Sequence, residues 1–222
     1  MPSSRMRSSS LPGSSLRESP MPDRAAGLHR ARRLSLLSVV AGVIAAIAGA
    51  VIGVSTGSLA VIGFAIDAAI DATASVALVW RFAIEQREPE RALRVEHLAE
   101  RAVGWVLLVA AVSLGIGAAR ALLAHDVASA SIGQVVLLLG SLLVLPPLAV
   151  AKRRVATALG SKALANDALL TGAAAVLAGV ALIAVALGSI GLWWADAIGS
   201  VLIAAALGRE GWASVRLSRE PG

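Results

Sequence analysis

The 222-residue chain contains no cysteine, only three histidines and only 15% charged residues. The first absence excludes disulfides, thiolate metal sites, iron–sulfur clusters and cysteine nucleophiles. Three histidines are too few for a histidine-rich metal centre. The sequence also has no glycine-rich phosphate loop, no nucleophile–base constellation and no zinc-protease helix. Enzymatic chemistry and a permanently bound cofactor are therefore not expected. A soluble domain carries roughly 25% charged and 45–50% apolar residues, whereas this chain is 57% hydrophobic. The excess points to lipid as the main partner. The net charge of +6 does not indicate nucleic acid, because the basic residues sit between apolar runs and form no amphipathic or aromatic platform.

Residues 1–33 hold seven arginines, two acids (Glu18 and Asp23) and prolines at 2, 12, 20 and 22, with eight serines among the first twenty. Such a segment buries too little apolar area to order itself, and a disordered basic tail is expected. Apolar runs follow at 34–54, 58–80, 102–123, 132–151, 164–188 and 192–208. Each is long enough for a helix to cross a bilayer core of about 30 Å, and their continuous apolarity excludes the alternation of barrel strands. The fold class is thus an all-α integral membrane protein with six transmembrane helices over 34–212, a short tail over 213–222 and no soluble C-terminal domain. Lys and Arg number seven before the first run, five between the second and third, four between the fourth and fifth, and three at or after the end of the sixth. The alternate connections carry none, and Arg120, near the outer end of the third run, is the single departure. Basic residues accumulate on the cytoplasmic side, so both termini are expected there, in a plasma or inner membrane.

Two features of the runs concern packing. Ala45, Gly49 and Gly53 form a small-residue face in the first run that lets another backbone approach, and a second copy of the chain is expected to dimerise there. Pro146 and Pro147 in the fourth free carbonyls near Leu142 and Leu143 and predict a kink.

The chemistry concentrates in the second run. Asp67 and Asp71 are four residues apart and project from one helical face, one turn apart. They lie roughly 13 and 20 Å from the outer boundary, astride the midplane. Two neighbouring carboxylates at that depth do not both stay ionised without a cation, which makes the pair a site for a proton or a divalent metal in competition. The plainer reading is an Asp pair satisfied by hydroxyls such as Thr73 and Thr171. Asp167, near the cytoplasmic start of the fifth run, serves either as a first-turn carboxylate or as an inner gate, with Thr171 one turn deeper. Asp196, after Trp193 and Trp194 of an outer aromatic belt, suits a helix N-terminus. Glu96, His97 and Glu100 read as interfacial charges, and His125 with Asp126 as an outer turn.

The stretches Ser58-Leu-Ala-Val-Ile-Gly-Phe-Ala-Ile-Asp67-Ala-Ala-Ile-Asp71, Ser161-Lys-Ala-Leu-Ala-Asn-Asp167-Ala and Trp193-Trp-Ala-Asp196-Ala-Ile-Gly-Ser-Val-Leu-Ile-Ala resemble the second, fifth and sixth helices of the cation diffusion facilitator (cation efflux) family. The resemblance covers roughly residues 34–212 and is nearest to a divergent branch similar to the transmembrane 163 proteins. It implies a homodimeric six-helix domain that exports a divalent metal (zinc, manganese, iron or cobalt) as cargo in exchange for protons. It also implies two metal ligands from the second helix, where Asp67 and Asp71 fall, and two from the fifth. There the sequence departs from the pattern. One alignment puts Leu170 and Ala174 at the ligand positions, and the other puts Asp167 and Thr171 there, so a full four-ligand set is missing either way.

Overall fold

Backbone groups in hydrocarbon must be paired within their own segment, and a long apolar run meets this by forming helix. The computed structural model describes residues 21–84 and 89–217, which form α1 (Met21–Thr56), α2 (Leu59–Ile84), α3 (Pro89–Ala124), α4 (Ile132–Leu159), α5 (Lys162–Ser189) and α6 (Ala195–Leu217). Five of these helices are long and apolar enough to cross a membrane. The expected sixth run lies in α6, which falls outside that group because its 23 residues include Asp196, Arg209, Glu210 and Arg216. At about 1.5 Å per residue α6 still reaches across a bilayer core.

The helices pack as three close pairs, α1 with α2, α3 with α6, and α4 with α5. α2 also touches α3, α5 and α6, and α5 touches α6. Over their apolar windows α2 and α5 are 56% and 50% buried, against 22–28% for α1, α3 and α4. The interior therefore belongs to α2 and α5, and the others turn large apolar side chains such as Ile44, Ile47, Val51, Val109 and Val136 outward, where lipid would cover them.

Local chemistry sets the turns. Gly57 (φ 70°) and Gly160 (φ 63°) take the left-handed conformation that lets α1 reverse into α2 and α4 into α5. Ser131 and Gln134 form a reciprocal capping box at the start of α4, and Ser161 caps α5.

Several expectations need correction. The helix begins at Met21, so the last part of the expected 1–33 tail is helical, because Ala31 is buried in a small cluster with Ala156 and Leu164 that anchors it. α6 runs to Leu217, past the expected boundary at 212, with Val215 buried beside Gly104. Residues 1–20 and 218–222, and the side chains of Glu96, His97 and Glu100, lie outside the described parts. α4 holds Pro146 and Pro147 within one helical segment, which is compatible with the expected kink. The small face of α1 is occupied within the chain, since Gly49 meets Ala65 and Gly53 meets Ile62 of α2. It is thus not free to join a second copy.

The α3–α6 pair has the tightest backbone approach. A Cβ built on Gly211 would lie 2.8 Å from the Gly104 carbonyl and 3.0 Å from the Leu108 nitrogen, and backbone atoms yield little. Gly115 has nothing within 4 Å of such a Cβ. Gly211→Ala is expected to cost about 1–3 kcal/mol through overpacking. Gly115→Ala is neutral or stabilising by up to about 1 kcal/mol, as alanine is the better helix former. Thermal unfolding of the two variants in detergent checks the contrast.

Candidate cation site

The buried polar groups separate into two levels. At the Ser58 end, Asp196 accepts hydrogen bonds from the Ser58 hydroxyl and from the Leu59 amide at 2.9 Å. The carboxylate thus caps the start of α2, not only its own helix, and pins the first turns of α2 and α6 at one height. Nearby, the Gln134 amide donates to Thr56 Oγ1 at 2.9 Å and the Ser129 amide to the Thr56 carbonyl at 2.8 Å. His125 stacks on Trp193, with ring centroids 4.3 Å apart. These contacts satisfy the groups that make them, and they tie helix ends together.

The second level lies about 12–25 Å farther along α2. Asp67 and Asp71 are each 6% exposed, and Asp67 Oδ2 and Asp71 Oδ1 have no hydrogen-bond partner. The hydroxyls that could have satisfied them point elsewhere. Thr73 Oγ1 donates to the Ala69 carbonyl at 2.8 Å, and Thr171 Oγ1 to the Asp167 carbonyl at 3.0 Å. The plainer reading of the Asp pair, as hydroxyl-bonded helix glue, is therefore not what the geometry contains. Counted from the shared Ser58–Asp196 height, Glu210 of α6 arrives level with Asp71, about 20 Å down. Glu210 lies just past the sixth apolar run and follows Arg209, which carries the opposite charge.

Asp167 stands one turn farther, with both oxygens engaged. Ser75 of α2 donates to Oδ1 at 2.9 Å, and the Lys152 ammonium of α4 lies 2.7 Å from Oδ2. The same ammonium donates to Thr171 Oγ1 at 2.9 Å. Lys152 is fully buried, while Arg153 and Arg154 beside it are exposed. In the sequence Lys152 counts with those two as a topology charge. The overlooked signal was its register: Gln134, Leu138, Ser141, Leu145, Leu148, Lys152 and Ala156 form the buried stripe of α4 at helical spacing.

The structure thus brings Asp67 and Asp71 together on α2, and Asp167 and Thr171 on α5, but it joins the second pair to Lys152. Among the described residues, no three His, Asp or Glu side chains converge closely enough to hold a metal ion. Ser35 and Ser38 of α1 add two buried hydroxyls without partners. Ser35 falls opposite Lys152 in the register that sets Ala31 against Ala156.

No curated protein matches the chain. A family model described as the cation efflux transmembrane domain matches residues 35–219. That span takes in all of α2, α3, α4, α5 and α6 and the two aspartates one turn apart in the bundle interior, and the chain belongs to the cation efflux family of membrane transporters.

Proposed function

We propose that the protein carries a divalent metal cation out of the cytoplasm in exchange for protons, with Asp67 and Asp71 as its ligands. The observation that carries this reading is the pair of buried, unpartnered oxygens, Asp67 Oδ2 and Asp71 Oδ1. A native interior rarely leaves such groups unsatisfied, and a carboxylate at that depth is costly without a proton or a cation. The metal is cargo, and no resident cofactor is part of the proposal. Oxygen donors without sulfur suit manganese, iron, cobalt or zinc. The alternation of Lys and Arg supports cytoplasmic termini in a plasma or inner membrane. The homodimer implied by the resemblance belongs to the same proposal, and its interface lies elsewhere than Gly49 and Gly53.

A second reading, a membrane interaction subunit that keeps the fold without transporting, is favoured by one observation. Lys152 already holds Asp167 and Thr171, so four free ligands are not assembled.

Transport assays separate the two. In proteoliposomes, Asp67→Asn and Asp71→Asn each lower metal uptake at least about tenfold, the equivalent of 1.4 kcal/mol, while the protein stays monodisperse. Uptake by the wild type rises when the lumen is acid relative to the bath, because protons leaving that side exchange for metal. Wild-type rates in both variants, or indifference to the gradient, favour the interaction subunit.

Orientation has its own check. In this cysteine-free chain, a single cysteine at Ser129 reacts with an impermeant thiol reagent in intact cells, and one at Thr157 reacts only after permeabilisation. Labelling of the Thr157 position from outside overturns the orientation.

A further inference from the structure

Lys152 is the one fully buried cation among the described residues. A lysine near a helix end ordinarily extends its ammonium to water, and Arg153 and Arg154 stay exposed next to it. Lys152 instead turns inward, onto two oxygens of α5. Its ammonium is 2.7 Å from Asp167 Oδ2 and 2.9 Å from Thr171 Oγ1. Asp167 and Thr171 are four residues apart on one helical face, the spacing of Asp67 and Asp71 on α2. The Thr171 hydroxyl gives its hydrogen to the Asp167 carbonyl, which leaves a lone pair facing the ammonium. Both α5 oxygens are thus oriented as donors to a positive charge, and the charge they receive is covalently attached to α4.

We propose that Lys152 is a tethered cation: its ammonium fills the α5 half of the polar level, so that Asp167 and Thr171 seat the lysine and a mobile divalent cation is left with Asp67 and Asp71 alone. The last clause rests on the functional reading above, and the first does not. The charge balance agrees. Three ionised aspartates and one ammonium sum to two negative charges, with Glu210 balanced by its neighbour Arg209, and one divalent cation neutralises them, whereas without the lysine the sum is three. Ser75, which donates to Asp167, stands one turn from Asp71 on α2, so an ammonium freed from Asp167 is set in competition with metal on α2. Lys152 is accordingly a specificity determinant, one that limits the site to few protein ligands and to weaker, more readily exchanged binding.

The experiment is a Co²⁺ titration of detergent-purified full-length protein, followed by calorimetry and by the visible absorption of the bound ion. Lys152→Met keeps most of the side-chain volume and removes the charge. It is expected to bind Co²⁺ at least about tenfold tighter than the wild type. Lys152→Met combined with Asp167→Asn removes both charges and returns to wild-type affinity. Asp167→Asn with Lys152 retained releases the ammonium toward Asp71 and weakens Co²⁺ binding about tenfold. Breaking one side of a buried ion pair is destabilising, so a Lys152→Met protein that does not fold moves the decision to the other two variants. A weak Asp167→Asn restored by the double substitution supports the tethered cation. Weak binding in both makes Asp167 a direct ligand and overturns it, as does Lys152→Met protein that folds and binds no tighter than wild type. If the wild type and the Asp67→Asn, Asp71→Asn variants all fail to bind Co²⁺ while Lys152→Met binds it, the tethered cation stands and the α2 ligand reading falls.

Discussion

A charge inside a bilayer has to find its counter-charge within the protein, because neither lipid nor bulk water supplies one. In this bundle that constraint is met at the ion pair between Lys152 and Asp167, 2.7 Å apart and almost completely removed from solvent. The pair joins α4 to α5, Ser75 extends it to α2, and Thr171 accepts the lysine's second hydrogen bond. Breaking one side of such a pair exposes an uncompensated charge and costs about 3–5 kcal/mol. The placement of three of the helices around the polar level therefore depends on it.

The two polar levels show how the same residue type serves different ends. Asp196 at the Ser58 end receives a hydroxyl and a backbone amide, and behaves as a helix cap supplied by a neighbouring helix. Asp67 and Asp71 are more deeply buried than Asp196, yet each keeps an oxygen without a partner. What separates an architectural carboxylate from a candidate ligand here is whether its lone pairs are spent. Burial alone does not, because Asp167 is as buried as Asp67 and Asp71 and yet is held by Ser75 and Lys152. Elsewhere along the helices, close contact is made by small residues: Gly42, Gly49 and Gly53 of α1 against α2, Gly199 against Ala184 of α5, and Gly104 against Gly211. Helices in lipid associate through such close approach, because lipid tails offer no hydrophobic incentive to pack.

The lysine also bears on how the family's fold is used in this chain. A carrier has to hold its cargo firmly enough to select it and loosely enough to release it. A site in which one half is filled by an attached ammonium loses ligands but keeps the charge count suited to one divalent ion. The same attachment would equally let a non-transporting protein keep its α5 half neutral without any metal, with Asp67 and Asp71 protonated. The two functional readings share one architecture and differ only in whether the oxygens of α2 meet a mobile cation.

Apolar continuity alone determined that the chain is a helical membrane protein, and the four-residue spacing of Asp67 and Asp71 alone put both carboxylates on one face, because helix formation in lipid is decided locally by backbone pairing. Helix ends were less legible. Met21–Arg33 looks like a basic tail by composition, and only the contact of Ala31 with Ala156 and Leu164, more than a hundred residues away, makes it part of α1. The small face of Ala45, Gly49 and Gly53 was visible, but its partner was not, since α2 and a second copy offer the same kind of surface. Least legible was Lys152, one basic residue among three in a row. Which of the three turns inward depends on the rotation of α4 against α5, and that rotation is set by packing between helices, which no local pattern encodes.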